Sequence, residues 1–302
     1  MPTISVVITT YNRAHLLPRA IESAQAAGSA LEVIVVDDAS TDGPRELCAR
    51  LAGIRYVCLS SNRGLAQARN VGIAESSSEF IAFLDDDDLR LPGSLDAQLR
   101  VLDGHGDAAF CYGQALIADA RRQLPTGQIY PVPCPKGDIF WDLLEHNFIP
   151  MPSVLARKSS LLEQGCFNSE LRLVEDWDMW LRLSERSSVA AVEEPVAVHR
   201  KAIGESDQMC SNSAEICRQA LRVQQMALNR FRAQAATRAK RRHVRQKLLD
   251  RAYQILMAEA TNAIHEGDAK SAGTKLREAF RFRPFRTMAS GRLPWVLIAL
   301  RS

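Results

Sequence analysis

The chain has 302 residues, of which 46% are hydrophobic and 24% charged, with 16 glycines and 13 prolines. These proportions are typical of a globular protein and exclude collagen-like, disordered and disulfide-framework classes. The formal net charge of +3 is the sum of two unlike parts. Residues 218–302 carry 19 basic and five acidic side chains, whereas residues 1–217 carry 19 basic and 30 acidic ones. This asymmetry predicts two regions with different partners.

Five short runs rich in β-branched residues predict buried strands in the first third of the chain. They lie at residues 4–9, 31–36, 54–59, 80–84 and 108–112. Segments with helical spacing separate them, so the alternation predicts an α/β fold with a doubly wound, mainly parallel central sheet. The carboxyl ends of such strands share one edge, where ligands of open α/β sheets bind.

The pattern loosens after Gly113. Residues 124–136 hold four prolines, which predicts an extended loop, and residues 174–184 predict a helix. Apolar pieces follow at 189–192 and 196–198, and the chain has helical periodicity from Glu215 onward. We therefore expect a catalytic domain at 1–205 and a basic, α-helical region at 206–302.

No targeting segment is expected. The apolar run near the start is too short for a signal peptide, and no apolar stretch approaches the roughly 18 residues of a membrane span. These features predict a cytoplasmic protein.

The first two predicted strands end in polar residues. The first ends in T-T-Y-N-R, which lacks the G-x-G-x-x-G of dinucleotide-binding folds, and the second ends in V-V-D-D-A-S-T-D-G. A carboxylate at Asp37 or Asp38 suits a ribose hydroxyl or a nucleobase N–H, because it only accepts hydrogen bonds. Equally, Asp37, Asp38 and Asp42 could shape a turn and cap the helix after Gly43.

Four carboxylates, residues 85–88, directly follow the buried fourth strand. Adjacent carboxylates repel one another and attract a cation, and Mg²⁺ and Mn²⁺ prefer oxygen ligands. A solvated acidic run is the alternative, but such a run rarely follows a core strand directly. The sequence therefore predicts a metal site here.

A further acidic pair, Glu175 and Asp176, opens the helix predicted at 174–184. Negative charge at a helix N-terminus is stabilised by the helix dipole, so these residues could simply start the helix. The same field would keep a general base ionised at neutral pH.

Together these motifs resemble the inverting glycosyltransferases of family 2, which have the nucleotide-sugar-binding GT-A fold. The resemblance covers roughly residues 3–200 in family order. It rests on S-V-V-I-T-T-Y-N-R, V-I-V-V-D-D-A-S-T-D-G, S-N-R-G-L-A-Q-A-R-N-V-G-I-A, F-I-A-F-L-D-D-D-D and the E-D pair at 175 and 176.

The resemblance implies donor-binding roles on the nucleotide side. Thr9 and Tyr11 match residues of the nucleotide pocket, and Asp38 matches the carboxylate that binds the uracil N3–H. Arg69, or Arg63 before it, is expected near the nucleotide and diphosphate. The donor implied is a nucleotide sugar, preferably a UDP-sugar.

The remaining matches imply the metal and the base. Asp87 is the expected direct ligand of Mn²⁺ or Mg²⁺, with Asp85 closer to the ribose and sugar and Asp86 sharing that work. The catalytic pair is Glu175 and Asp176, of which Asp176 matches the base. His199 stands where some relatives place a histidine near the metal or diphosphate.

These roles predict one in-line displacement, with inversion at the anomeric carbon, by a hexosyltransferase or N-acetylhexosaminyltransferase. Two alternatives remain. A nucleotidyltransferase ordinarily needs a glycine-rich basic loop after the first strand, which T-T-Y-N-R does not provide. A non-catalytic nucleotide-sugar or partner-binding protein could keep the fold, although intact acidic motifs argue against it.

The basic tail has several interpretations. Residues 238–247 read R-A-K-R-R-H-V-R-Q-K, but no aromatic platform accompanies them, so no nucleic acid is expected. A solvated helix face explains much of the charge. We favour peripheral attachment to an anionic membrane surface, because the amphipathic residues 280–300 follow. A glycan or lipid-linked glycan acceptor would fit that location.

Overall fold

A computed structural model describes residues 3–119, 125–201 and 212–284. The chain divides into two compact units, Met1–Leu143 with Asn147–Asp207 and Leu144–His146 with Gln208–Ser302. The domain boundary predicted at residue 205 lies outside the described residues, as do Phe285 and Trp295 of the segment predicted to lie on a membrane.

The first unit is built on a mixed sheet that is nine-stranded within the described residues, in the order β3-β2-β1-β4-β8-β6-β9-β5, with β7 paired to β6. Its strands are β1 Ile4–Thr10, β2 Leu31–Asp37, β3 Ile54–Cys58, β4 Phe80–Asp85, β5 Leu89–Arg90, β6 Ala108–Asp119, β7 Pro125–Tyr130, β8 Val154–Arg157 and β9 Ser188–Lys201. Its helices are α1 Leu17–Ala26, α2 Pro44–Cys48, α3 Leu65–Glu75, α4 Ser94–Asp103, α5 Phe140–Glu145, α6 Lys158–Glu163 and α7 Glu175–Arg186.

The predicted strands are confirmed, and the parallel part of the sheet is β3-β2-β1-β4. All seven residues of β1 are buried, because helices cover both faces of the sheet. A strand buried on both faces is apolar along its whole length, which explains the continuous apolar run in the sequence. The remaining half is mixed. Here β8 runs antiparallel to β4 and β6, while β6 and β9 are parallel.

One local expectation was wrong. The proline-rich segment is not only a loop, because β7 pairs antiparallel with β6; proline is tolerated on such an edge strand, where its missing N–H removes no ladder bond. The apolar pieces at 189–192 and 196–198 form one strand, β9, whose register with β6 shifts near Gly113.

Helix α3 approaches β1 unusually closely at Gly72. A Cβ atom at Gly72 would lie 2.2 Å from Cγ1 of Val7, so no other residue fits there without displacing the helix. Arg69 lies one turn earlier on α3. The close contact at Gly72 therefore fixes where the Arg69 side chain begins.

The second unit is helical in its described part, with α8 Ser213–Leu228, α9 Phe231–Gln234, α10 Arg238–His265 and α11 Ala269–Phe282. Leu256 and Leu276 are among the buried residues that join α10 to α11. Asp268 caps α11 by accepting a hydrogen bond from the Ser271 backbone N–H. The basic residues early in α10 are mostly exposed. Among the described residues, the structure contains no helix with the length and apolar character needed to cross a membrane.

Candidate active site

Three strand ends meet at one edge of the parallel sheet. Thr10 of β1 stands in register with Asp37 of β2, and Thr9 stands in register with Asp85 of β4. Thr9 also donates from Oγ1 to Asp85 at 3.3 Å. The motifs after these strands are therefore neighbours, as the sequence predicts for carboxyl ends of parallel strands.

The turns after β1 and β2 interlock through polar contacts. The Asn12 backbone N–H donates to Ser40 Oγ, and Asn12 Oδ1 accepts from the Thr41 backbone N–H, each at 2.8 Å. Asn12 and Ala39 have φ values of 51° and 66°, which non-glycine residues rarely adopt outside functional or strained sites. The backbone here is held in a defined shape.

Asp37 and Asp42 mainly shape these turns. Asp37 accepts hydrogen bonds from the Ser40 backbone N–H and from the Tyr56 hydroxyl. Asp42 accepts from the Ala14 backbone N–H at 2.8 Å, and no side chain caps α2 after Gly43. The turn-shaping interpretation therefore holds for both residues, whereas the predicted cap of α2 is wrong.

Asp38 is buried and ties β2 to the start of α3. Its two oxygens accept from the backbone N–H groups of Arg63 at 2.7 Å and Gly64 at 2.8 Å. Each carboxylate oxygen has two lone pairs, so capacity for a nucleobase N–H remains. Tyr11 nearby in sequence is 46% exposed, and the Arg63 side chain is exposed. Their contacts with a nucleotide stay predictions.

The acidic run after β4 forms a cluster of carboxylates. One oxygen from each of Asp85, Asp87 and Asp88 lies within 4.8 Å of the others. An all-oxygen donor set of this kind suits Mg²⁺ or Mn²⁺. Asp86 is buried outside this set, where burial raises its pKa to about 7 even though Arg13 opposes the rise.

Two arginines with no role predicted from the sequence neutralise the acidic run. Arg13 pairs with Asp86 at 2.5 Å and Asp87 at 3.0 Å. Arg200 lies 3.5 Å from Asp87 through Nε. Arg13 belongs to the first motif and Arg200 follows the predicted last strand, so both had a positional signal, but their partners depend on tertiary structure.

His199 lies outside the group of possible metal ligands. Its Nδ1 is 3.1 Å from Oδ2 of Asp88, and the next backbone N–H, of Arg200, donates to the same carboxylate at 2.7 Å. Burial raises the pKa of Asp88 to about 6, partly offset by His199. His199 thus contacts a carboxylate of the acidic cluster, and its place near the metal or diphosphate stays a prediction.

Arg69 joins the acidic cluster to the start of α7. Its Nη2 donates to Asp85 at 2.8 Å, and its Nη1 pairs with Glu175. Burial raises the pKa of Asp85, but Arg69 and then Arg13 outweigh this effect and lower it overall. Because Arg69 is only 2% exposed, its position is that of an internal bridge, and direct contact with a diphosphate stays a prediction.

Asp176 stands in the first turn of α7, two residues after one with a strained backbone. Val174 has φ 55°, a backbone conformation costly for a β-branched side chain. Asp176 accepts from Asn147 Nδ2 at 3.1 Å and from the Trp177 backbone N–H at 2.6 Å. Burial raises its pKa, with Arg69, Trp177 and Asn147 opposing the rise. Such a carboxyl suits proton transfer near neutral pH.

Glu175, the residue before Asp176, forms an ion pair with Arg69. It is 4% exposed, and its ion pair with the buried guanidinium occupies it. Burial raises its pKa to about 7, against the effect of Arg69. The structure thus separates the two members of the predicted catalytic pair, because Glu175 has an internal partner whereas Asp176 is held by neutral donors.

The family model described as "Glycosyl transferase family 2" matches residues 5–161, just over half of the chain. Two relatives from Rhizobium meliloti (strain 1021) are similar. The succinoglycan biosynthesis protein ExoO is 32% identical over 59% of this chain and 54% of its own length, and ExoU is 36% identical over 59% and 56%. The chain thus spans about half the length of these relatives.

Among solved structures, S. aureus TarS residues 1–349 in complex with UDP-GlcNAc is similar at a TM-score of 0.62. The match has 19% sequence identity and covers 95% of this chain and 83% of that one. At this identity the likeness concerns the fold. It agrees with the GT-A architecture predicted for the first unit.

Proposed function

Because the chain belongs to glycosyl transferase family 2, we propose that it transfers a sugar from a nucleoside-diphosphate donor to an acceptor hydroxyl. One observation carries the proposal: the carboxylates of Asp85, Asp87 and Asp88 converge at a sheet edge, and Arg69 links them to the first turn of α7. One buried side chain thereby joins the acidic cluster to Glu175, the residue next to the candidate base Asp176.

The donor we propose is a UDP-sugar. Asp38 matches the uracil-binding carboxylate in the family resemblance, and its oxygens retain lone pairs beyond their two backbone contacts. The similar fold of TarS, described in complex with UDP-GlcNAc, supports a nucleotide-sugar site of this type. The sugar would be a hexose or an N-acetylhexosamine.

Asp87, with Asp85 and Asp88, would hold Mn²⁺ or Mg²⁺. When bound, such a cation supplies positive charge that stabilises a departing diphosphate. The protein contributes the orientation of the ligands: Thr9 and Arg69 hold Asp85, and His199 and the Arg200 backbone hold Asp88.

Asp176 would act as the general base. The acceptor oxygen attacks the anomeric carbon while its proton passes to the Asp176 carboxylate, and the bond from that carbon to the diphosphate oxygen breaks, its electron pair leaving with the diphosphate. A single displacement inverts the anomeric configuration. Asn147 and the Trp177 backbone N–H are neutral donors. They orient the carboxylate without placing a positive charge beside it.

The acceptor class we propose is a growing glycan or lipid-linked glycan. Two relatives are named for succinoglycan biosynthesis, which supports polysaccharide assembly. The exposed basic residues of α10 support a location at the anionic cytoplasmic face of a membrane. Sedimentation with vesicles tests this location: binding should require anionic lipid and weaken on deletion of residues 285–302. Equal binding to neutral vesicles would contradict it.

A donor screen tests the proposed reaction. Thermal shift with Mn²⁺ should identify one nucleotide sugar that stabilises the chain, because a bound donor stabilises the folded state according to its occupancy. Release of the nucleoside diphosphate from that donor should then require the cation and fall strongly in Asp87→Asn, but not in Asp103→Asn on the exposed end of α4. Donor binding without turnover would favour a binding protein.

A further inference from the structure

The acidic run after β4 is nearly neutralised by the protein itself. Arg69 pairs with Asp85, Arg13 pairs with both Asp86 and Asp87, and Arg200 lies near Asp87. Three guanidinium groups thus stand against four carboxylates. A divalent cation entering this cluster meets ligands that already have positive partners.

Arg13 holds its two partners in different ways. Two contacts hold Asp86, because Nη2 lies 2.5 Å from Oδ1 and Nε donates to Oδ2 at 3.3 Å. The Arg13 contact with Asp87 is a single one, from Nη1 to Oδ2 at 3.0 Å. When the contact with Asp87 breaks, the guanidinium keeps both contacts with Asp86. Asp87 is also the expected direct ligand of the cation.

The surroundings of the two carboxylates reinforce this difference. The Asp86 side chain is fully buried, and the Arg13 side chain is 29% exposed. Asp86 lies outside the group of possible metal ligands, whereas Asp87 belongs to it. Asp86 thus serves as an anchor for Arg13, and Nη1 of the same guanidinium reaches into the cation site.

We infer that Arg13 competes with the divalent cation for Asp87, because the guanidinium already occupies Oδ2 and repels a second positive charge there, so that binding of the cation weakens the Nη1 contact while Asp86 keeps the guanidinium nearby. The inference rests on the proposed function in placing the cation at Asp87.

Mn²⁺ binding to the full chain without donor tests the competition. The free Mn²⁺ signal in electron paramagnetic resonance reports binding without any requirement for turnover. Arg13→Gln should bind Mn²⁺ about tenfold more tightly than the unmodified chain, since the positive guanidinium that competes for Asp87 is removed. Arg50→Gln, at an exposed position after α2, should leave the affinity unchanged.

A double variant separates direct competition from a general charge effect. Arg13→Gln with Asp86→Asn restores the original net charge of the site but still lacks the competing guanidinium. We expect it to bind Mn²⁺ at least severalfold more tightly than the unmodified chain. It also removes the buried unpaired carboxylate that would destabilise Arg13→Gln alone.

Equal or weaker Mn²⁺ binding by the double variant would overturn the inference. Folding is checked separately by circular dichroism, and Mn²⁺ should raise the melting temperature of the double variant more than that of the unmodified chain. These readouts do not depend on sugar transfer. Absence of transfer by the unmodified chain, together with the predicted Mn²⁺ affinities, would count against the proposed function and leave the competition intact.

Discussion

Arg69 donates from Nη2 to Oδ1 of Asp85 across 2.8 Å, on a side chain that is almost wholly enclosed. The other end of the same guanidinium pairs with Glu175. Removing one partner of a buried ion pair leaves a charge without compensation, typically at a cost of about 3–5 kcal/mol. Replacing Arg69 is therefore expected to lower the stability of the fold as well as change the electrostatics of the site.

Arg69→Met should lower the free energy of unfolding by about 3–5 kcal/mol, measured by urea denaturation. Adding Glu175→Gln should recover part of that loss, because one of the two abandoned carboxylates becomes neutral. Arg50→Met is the matched control and should change stability little. Additive losses in the double variant would show that Arg69 and Glu175 are not coupled.

Asn147→Ala should move the acid limb of the pH–activity profile to higher pH. Asn147 donates to the ionised form of Asp176 and lowers its pKa, so its removal raises that pKa further and protonates the base at pH values where it was ionised. Activity should fall most at the acidic end and recover as pH rises.

The pH dependence of kcat measures this effect. Asn229→Ala, which removes a side chain that accepts from Gln225, should leave the profile in place. A uniform loss of activity at every pH would instead indicate that Asn147 acts on folding or on acceptor binding.

Gly72→Ala should destabilise the first unit by about 1–3 kcal/mol, as expected for overpacking. The added methyl would overlap Val7 and push α3, which carries Arg69, away from β1. Donor turnover should fall together with stability. Val7→Ala should rescue much of both.

Gly104→Ala is the control for this substitution, since a Cβ there makes only ordinary contacts at 3.5 Å or more and φ is −74°. If Gly72→Ala proved as harmless as Gly104→Ala, the close packing of α3 on β1 would not be what positions Arg69.

The parallel half of the sheet was predictable because β1, β2 and β4 are largely buried and read as continuous apolar runs, whereas β3 at the sheet edge is partly exposed. The site edge followed, since T-T-Y-N-R and the run at 85–88 lie at the carboxyl ends of β1 and β4. Strand β8 was missed because it has only four residues, Val154–Arg157. Strand β7 was missed because prolines dominate its segment.

The partners of individual site residues were less predictable. Asp38 is held by backbone N–H groups of residues 63 and 64, which leave no trace in side-chain patterns. Asn147 reaches Asp176 from a loop 29 positions earlier. Both contacts depend on tertiary packing. The spacing of residues along the chain does not show which of them come together in this way.

The most direct test of the proposed mechanism is the kcat of Asp176→Asn at saturating donor and Mn²⁺, using the nucleotide sugar found by the thermal screen. Loss of a general base predicts a fall of about 10²–10⁴-fold, with donor-induced stabilisation and cation binding retained and with Asp103→Asn unaffected. Turnover within a few fold of the unmodified chain would contradict the assignment of Asp176 as the base.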